Sequence, residues 1–214
     1  MNPLRLLLPL RRTLFAAVIL ILCLPASAAR TLLVFGDSLS AAYGLAADQG
    51  WVHLLGERAR REGLDWRVVN ASISGETTAG GLRRLPEDLK RHKPNVVLIA
   101  LGANDALRGL PIEGIRDNLQ KMIGLVRQSR AQPVLVSIMI PPNYGIDYAA
   151  GFRDLYPAIA KKNKAVLVPF LLEGLGDRRE MFQPDQLHPT AAAQRIVLET
   201  VWKAIEPVLR KRAA

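Results

Sequence analysis

Val96-Val97-Leu98-Ile99-Ala100-Leu101, followed at once by Gly102-Ala103-Asn104-Asp105, is the stretch that decides the fold. Six consecutive apolar positions leave no face for water, so the run reads as a strand covered on both sides. Strands of that kind belong to parallel sheets with helices packed on each face. The polar residues that follow stand where such a sheet displays its functional groups, beyond the carboxyl ends of its strands.

Working outward, the same alternation recurs. Upstream, Thr31 to Phe35 is the first strand, a helix covers about Gln49 to Arg61, and Arg67 to Asn70 is a short second strand. Thr77 or Thr78 can cap a helix running towards His92. Downstream, a helix spans about Ile112 to Ser129 and Val134 to Ile138 is the fourth strand. Pro141-Pro142-Asn143-Tyr144-Gly145 must be irregular, because prolines remove donors and fix backbone angles. Tyr148 to Lys162 is helical despite Pro157, and Val166 to Val168 is the fifth strand. A last helix opens at His188-Pro189-Thr190, with Thr190 as its cap, and runs to about Leu209, where Pro207 should kink or stop it. Five strands separated by helices predict one α/β domain with a doubly wound, mostly parallel sheet.

The first residues stand apart from this pattern. Arg5, Arg11 and Arg12 precede the apolar run Leu14 to Leu24 and the small residues Pro25-Ala26-Ser27-Ala28-Ala29, the layout of a signal peptide over residues 1–28, cleaved after Ala28 or one residue later; an uncleaved anchor starting near Leu4 is the other reading. The expected destination is the periplasm or the outside of the cell. Cys23 is the only cysteine and would leave with the signal, so residues 29–214 carry no thiol chemistry. The 214-residue chain has 29 basic and 19 acidic residues, and loss of three signal arginines leaves an excess of seven positive charges. That excess fits peripheral contact with anionic membrane and, equally, a solvated basic surface that aids solubility. The basic residues are scattered, with no aromatic residues alternating among them, so no nucleic-acid partner is expected. A monomer is expected.

Candidate chemistry gathers at the strand ends. Gly36-Asp37-Ser38 places a serine directly beyond a buried strand, held by rigid backbone with its hydroxyl able to face a cleft, as a nucleophile requires. A Gly-Asp-Ser turn is also a common way to end a strand. Of three histidines, His53 reads as a packing or surface residue and His92 as a solvated helix end. His188 lies in Asp185-Gln186-Leu187-His188-Pro189, too polar and turn-prone to be core. Asp185, three residues earlier, can accept the Nδ1 proton and leave Nε2 free to take a proton from serine. An oxyanion hole could use the N–H of Ser38, the N–H of Gly75 and the side-chain amide of Asn104. Taken singly, Gly75 and Asn104 read equally well as ordinary turn residues.

Four blocks carry a family resemblance: Val34-Phe35-Gly36-Asp37-Ser38-Leu39-Ser40; Asn70-Ala71-Ser72-Ile73-Ser74-Gly75-Glu76-Thr77-Thr78; Leu101-Gly102-Ala103-Asn104-Asp105; and Asp185-Gln186-Leu187-His188-Pro189. In this order and spacing they resemble the conserved blocks of the SGNH (GDSL) hydrolase superfamily. The resemblance implies a three-layer α/β/α sandwich of flavodoxin-like strand order with a mostly parallel five-stranded sheet. It implies Ser38 as nucleophile, His188 as base, Asp185 as orienting acid, and Ser38, Gly75 and Asn104 as oxyanion donors. It implies hydrolysis of carboxylic esters and thioesters, with arylesterase, acyl-CoA thioesterase and lysophospholipase activities, and neither metal nor other cofactor. The loop Ser74 to Gly80 is expected to shift on acyl-chain binding. Asp105, Leu107, Arg108, Leu110, Asn143, Tyr144 and Ile146 are expected around the substrate, Asp105 and Arg108 in support. Ile112 and Tyr148 lie beside them. Two other readings stay open: an O-acetylesterase acting on carbohydrates, and a lipid- or glycan-binding protein without turnover.

Overall fold

The computed structural model describes residues 30–176 and 178–213, so the predicted signal peptide lies outside the described residues. Five strands form one parallel sheet: β1 (Arg30–Gly36), β2 (Trp66–Asn70), β3 (Val96–Ala100), β4 (Gln132–Ser137) and β5 (Val166–Phe170), in the order β2-β1-β3-β4-β5. This is the flavodoxin-like order, whose switch point lies between β1 and β3. The helices are α1 (Trp51–Arg61), α2 (Thr78–His92), α3 (Ala103–Leu107), α4 (Ile112–Gln128), α5 (Ile146–Lys162) and α6 (Gln194–Ala213).

Alternation along each strand divides the core in two. Leu32, Val34, Val96, Leu98 and Ala100 pack with α1 and α6, whereas Leu33, Phe35, Val97, Ile99 and Leu101 pack with α2, α4 and α5. Both faces are therefore dry, and that is why the strands read as unbroken apolar runs rather than alternating ones. At about 25 cal/mol per Å2 of apolar surface removed from water, this two-sided burial is the main term holding the sandwich together.

Local signals explain most boundaries. Thr77 caps α2, its hydroxyl accepting the N–H of Gly80 at 3.1 Å, a contact that typically contributes about 1 kcal/mol. Gly102 has φ +125°, and a Cβ there would lie 2.4 Å from the hydroxyl oxygen of Tyr156, so only glycine fits between β3 and α3. The last helix departs from expectation. It begins at Gln194, because Thr190 pairs back onto Met181, its N–H donating to that carbonyl at 2.8 Å, and Phe182 bridges Pro189. Thr190 is thus tied into a ribbon and caps nothing. Pro207 does not stop α6, which runs to Ala213 around it. The short helix α3 was not foreseen, because five residues are too few to show a period.

Candidate active site

Every candidate residue of the triad sits at the carboxyl edge of the sheet. Ser38 follows β1 and His188 lies on the loop before α6, and the sheet brings them together across 150 positions of sequence: His188 Nε2 is 2.8 Å from Ser38 Oγ. His188 Nδ1 is 2.7 Å from Asp185 Oδ2. Asp185 also accepts the N–H groups of Leu187 at 2.9 Å and His188 at 3.0 Å through its other oxygen. Partial loss of hydration raises the Asp185 carboxyl, but these N–H donors and the His188 ring outweigh it and hold the group at about 2. An ionised carboxylate can only accept, so the Nδ1 hydrogen points at Asp185 and the Nε2 lone pair faces the serine hydroxyl.

Among the described residues, neither the N–H of Ser38 nor that of Gly75 has an acceptor. Gly75 has φ +79°, a left-handed conformation suited to glycine. Its carbonyl accepts a bond from Arg108 Nη2 at 3.3 Å, which ties the loop after β2 to the end of α3. Asn104, in the first turn of α3, donates through Nδ2 to the carbonyl of Glu76 at 3.0 Å and approaches Asp37 Oδ2 at 3.4 Å.

Asp105 is placed differently from the other residues expected near substrate. It is 2% exposed, and its two oxygens accept the N–H of Thr78 at 2.8 Å and the hydroxyl of Thr78 at 2.6 Å. Its position is that of a cap on α2, fastening the second sequence block to the third, and no carboxylate surface is left for a ligand. Asp37, beside the serine, is 0% exposed. Burial pushes its carboxyl up to about 7 against the pull of the Leu39 N–H and its own N–H, with the nearby charge of Asp105 adding to the rise.

The remaining expected residues form a rim. Leu110, Tyr144 and Ile146 are exposed, Ile146 at 80%, and Asn143 stands beside them on a short 3-10 turn over Pro142–Tyr144. Leu107 is partly buried against the core. Tyr148 donates its hydroxyl to the carbonyl of Leu110 at 2.6 Å, linking α5 to the loop after α3. Tyr43, Ile73, Met139 and Leu187 complete the exposed large apolar side chains found among the described residues. These side chains lie on the segments that follow the strands or, for Ile146, at the start of α5, so the exposed large apolar side chains gather at the carboxyl end of the sheet, where Ser38 also stands.

Three supporting residues escaped the sequence reading. The ring of Tyr43 packs on His188, with centroids 4.5 Å apart. Gln183 donates to the carbonyls of Tyr43 at 2.8 Å and Pro189 at 3.1 Å, fixing the histidine loop to the segment after Ser38. Buried Gln194 accepts the N–H of Trp51 at 3.0 Å and donates to the Pro189 carbonyl at 3.4 Å. A tyrosine or glutamine in a loop carries no local signal of such contacts. Among the described residues, no cluster of three His, Cys, Asp or Glu side chains could hold a metal ion.

The family model described as GDSL-like Lipase/Acylhydrolase matches residues 34–196. Esterase TesA of Pseudomonas aeruginosa is 50% identical over 190 residues, spanning 89% of this chain and 94% of that protein. Thioesterase 1/protease 1/lysophospholipase L1 of Escherichia coli K12 is 38% identical over 191 residues, 89% of this chain and 90% of that one. Among solved structures, the psychrotrophic esterase EstA from Pseudoalteromonas sp., inhibited by monoethylphosphonate, superposes with a TM-score of 0.81 at 39% identity, covering 85% of this chain and 99% of that one. With a matching fold, four sequence blocks in order and relatives similar along most of their length, the chain belongs to the GDSL-like lipase/acylhydrolase family.

Proposed function

We propose that this enzyme hydrolyses carboxylic esters and thioesters of acyl chains through an acyl-enzyme formed on Ser38. The observation that carries the reading is the continuous line from Asp185 Oδ2 through the His188 ring to Ser38 Oγ, with links of 2.7 and 2.8 Å. Ser38 Oγ attacks the acyl carbonyl while Nε2 takes its proton, and the charge of Asp185 stabilises the imidazolium that forms. Negative charge on the former carbonyl oxygen meets the N–H groups of Ser38 and Gly75 and the Asn104 amide. One amide hydrogen of Asn104 already serves Glu76, and the other, set only loosely towards Asp37, is the one available to substrate. His188 then protonates the departing alcohol or thiol. Water enters, loses its proton to the same nitrogen, and attacks the acyl-enzyme to release the carboxylic acid and restore Ser38.

The apolar rim of Leu107, Leu110, Tyr144 and Ile146 supports acyl chains longer than acetyl, because each methylene removed from water contributes about 0.8 kcal/mol. Acyl-thioesters, aryl esters and lysophospholipids share that feature. Export to the periplasm would place the enzyme among lipid-derived esters. The test compares wild type with Ser38→Ala on a p-nitrophenyl octanoate and an octanoyl thioester. Loss of both activities in a folded variant is expected, and undiminished turnover would refute the serine route.

A further inference from the structure

In a parallel sandwich every helix runs back against the strands, so helix carboxyl ends gather at the end of the sheet opposite the serine. On one face, α2, α4 and α5 end side by side, ahead of the adjacent strands β3, β4 and β5. Arg127 reaches from the last turn of α4 to the carbonyl of Asn163 at the end of α5, so these ends are in contact. The residues that turn each helix into the next strand are Lys93, Arg130 and Lys164, with φ of +44°, +65° and +45°. Glycine or asparagine is the usual residue in that left-handed conformation. The equivalent turn after α1 does use glycine, Gly63, at φ +70°. Three neighbouring turns of the same design thus carry a cation where the backbone favours glycine.

More charge surrounds them. Lys90, Arg127, Lys161 and Lys162 occupy the same helix ends, and all seven side chains are exposed. None of the seven has a carboxylate within 4.0 Å among the described residues; beside them Arg91 pairs with Glu87 at 2.7 Å and the His92 ring lies 3.9 Å from Asp88. The last two turns of α4 and α5 contain no acid at all. Helices pack about 10 Å apart, so the three ends spread these cations over a front of roughly 20 Å rather than around a pocket. The described exposed aromatic side chains, Tyr43 and Tyr144, lie at the other end of the molecule, so the basic front lacks the stacking platforms that nucleic-acid strands require.

We propose that this basic front docks the enzyme on an anionic lipid surface, headgroup phosphates meeting the cations at Lys93, Arg130 and Lys164, with the catalytic serine facing away from that surface. The docking is independent of the hydrolytic reading, and it directs the enzyme to esters presented from solution rather than to the bilayer that holds it. Each cation brought to such a surface raises partitioning about fivefold.

The test is sedimentation of the protein, in the form recovered from expressing cells, with vesicles of phosphatidylcholine alone or with 30% phosphatidylglycerol. Wild type is expected to prefer the anionic vesicles and to lose that preference in half-molar salt. The triple variant K93G/R130G/K164G relieves three left-handed turns, so it keeps its fold, and its preference should fall about a hundredfold. The charge-preserving K93R/R130K/K164R variant should bind as wild type does. Equal binding to both vesicles, an unchanged preference in the glycine variant, or equally tight salt-sensitive binding to duplex DNA would each overturn the assignment. A second arm checks orientation: vesicle-bound wild type should retain its full rate on a soluble p-nitrophenyl ester, and occlusion of that activity would overturn the outward-facing geometry.

Discussion

Replacing Gly102 by alanine tests whether the turn out of β3 positions Asn104. At φ +125° and ψ −20° the backbone lies outside the regions open to alanine, a strain of about 1–3 kcal/mol. The new methyl would stand 2.4 Å from the Tyr156 hydroxyl oxygen. Tyr156 is fully buried and its hydroxyl donates to the carbonyl of Leu101 at 3.0 Å. Moving the ring aside breaks that bond and leaves buried polar atoms unpaired, a further cost of about 1–3 kcal/mol. The expected destabilisation is therefore about 4 kcal/mol in urea unfolding, large against a typical domain stability of about 5–15 kcal/mol. Asn104 is only two residues on, so kcat should fall as well, by about a hundredfold for a displacement near 1 Å. The double variant Gly102→Ala/Tyr156→Phe removes the clashing atom, and its destabilisation should be smaller than the sum of the two single effects by at least about 1 kcal/mol. Strict additivity, or a Gly102→Ala protein within about 0.5 kcal/mol of wild type, would refute the packing argument.

Other expectations follow from the same geometry. Asn104→Ala should lower kcat about 100- to 1000-fold with little change in KM, since the amide matters when charge develops; an effect confined to KM would contradict it. Asp185→Asn should lower kcat about 10000-fold by favouring the wrong imidazole tautomer, and because wild-type Asp185 is held at about 2, it should add no limb of its own to the activity profile above pH 3. Asp37 has its folded carboxyl raised from 3.8 to about 7, so the native state keeps a proton that the unfolded chain gives up. Its contribution to stability is fully present below 3.8 and is lost as pH rises through about 7; measured by urea unfolding, Asp37→Asn should gain on wild type across that interval, and a constant difference would contradict the burial argument. Ile146→Asp should depress hydrolysis of p-nitrophenyl octanoate while sparing the acetate, and equal losses on both would remove Ile146 from the acyl path.

Different parts of this molecule were legible in the sequence to different degrees, for physical reasons. The central strand was readable because both of its faces are dry and no polar residue interrupts Val96 to Leu101. Asp185 and His188 were readable as a pair because their contact closes within one turn. The contact between His188 and Ser38 spans the chain; setting aside His53 and His92 left His188 as the partner, and the resemblance of four ordered blocks strengthened the link, but no local pattern carried it. Thr190 looked like a helix cap because threonine ahead of an apolar period usually is one; its pairing with Met181 is a tertiary contact without local periodicity. Asp105 was placed around the substrate, in support, by the resemblance alone; that its two oxygens are taken by the N–H and hydroxyl of Thr78 is a tertiary contact the sequence does not display. Tyr43 and Gln194 act through distant partners and left no pattern at all.

Covalent labelling tests the central claim most directly. An active preparation treated with a fluorophosphonate and mapped by peptide mass analysis should carry one adduct, on Ser38, formed in proportion to lost activity and strongly slowed in His188→Ala. Full inactivation with the adduct on another residue, or full activity in protein whose Ser38 is quantitatively modified, would contradict it.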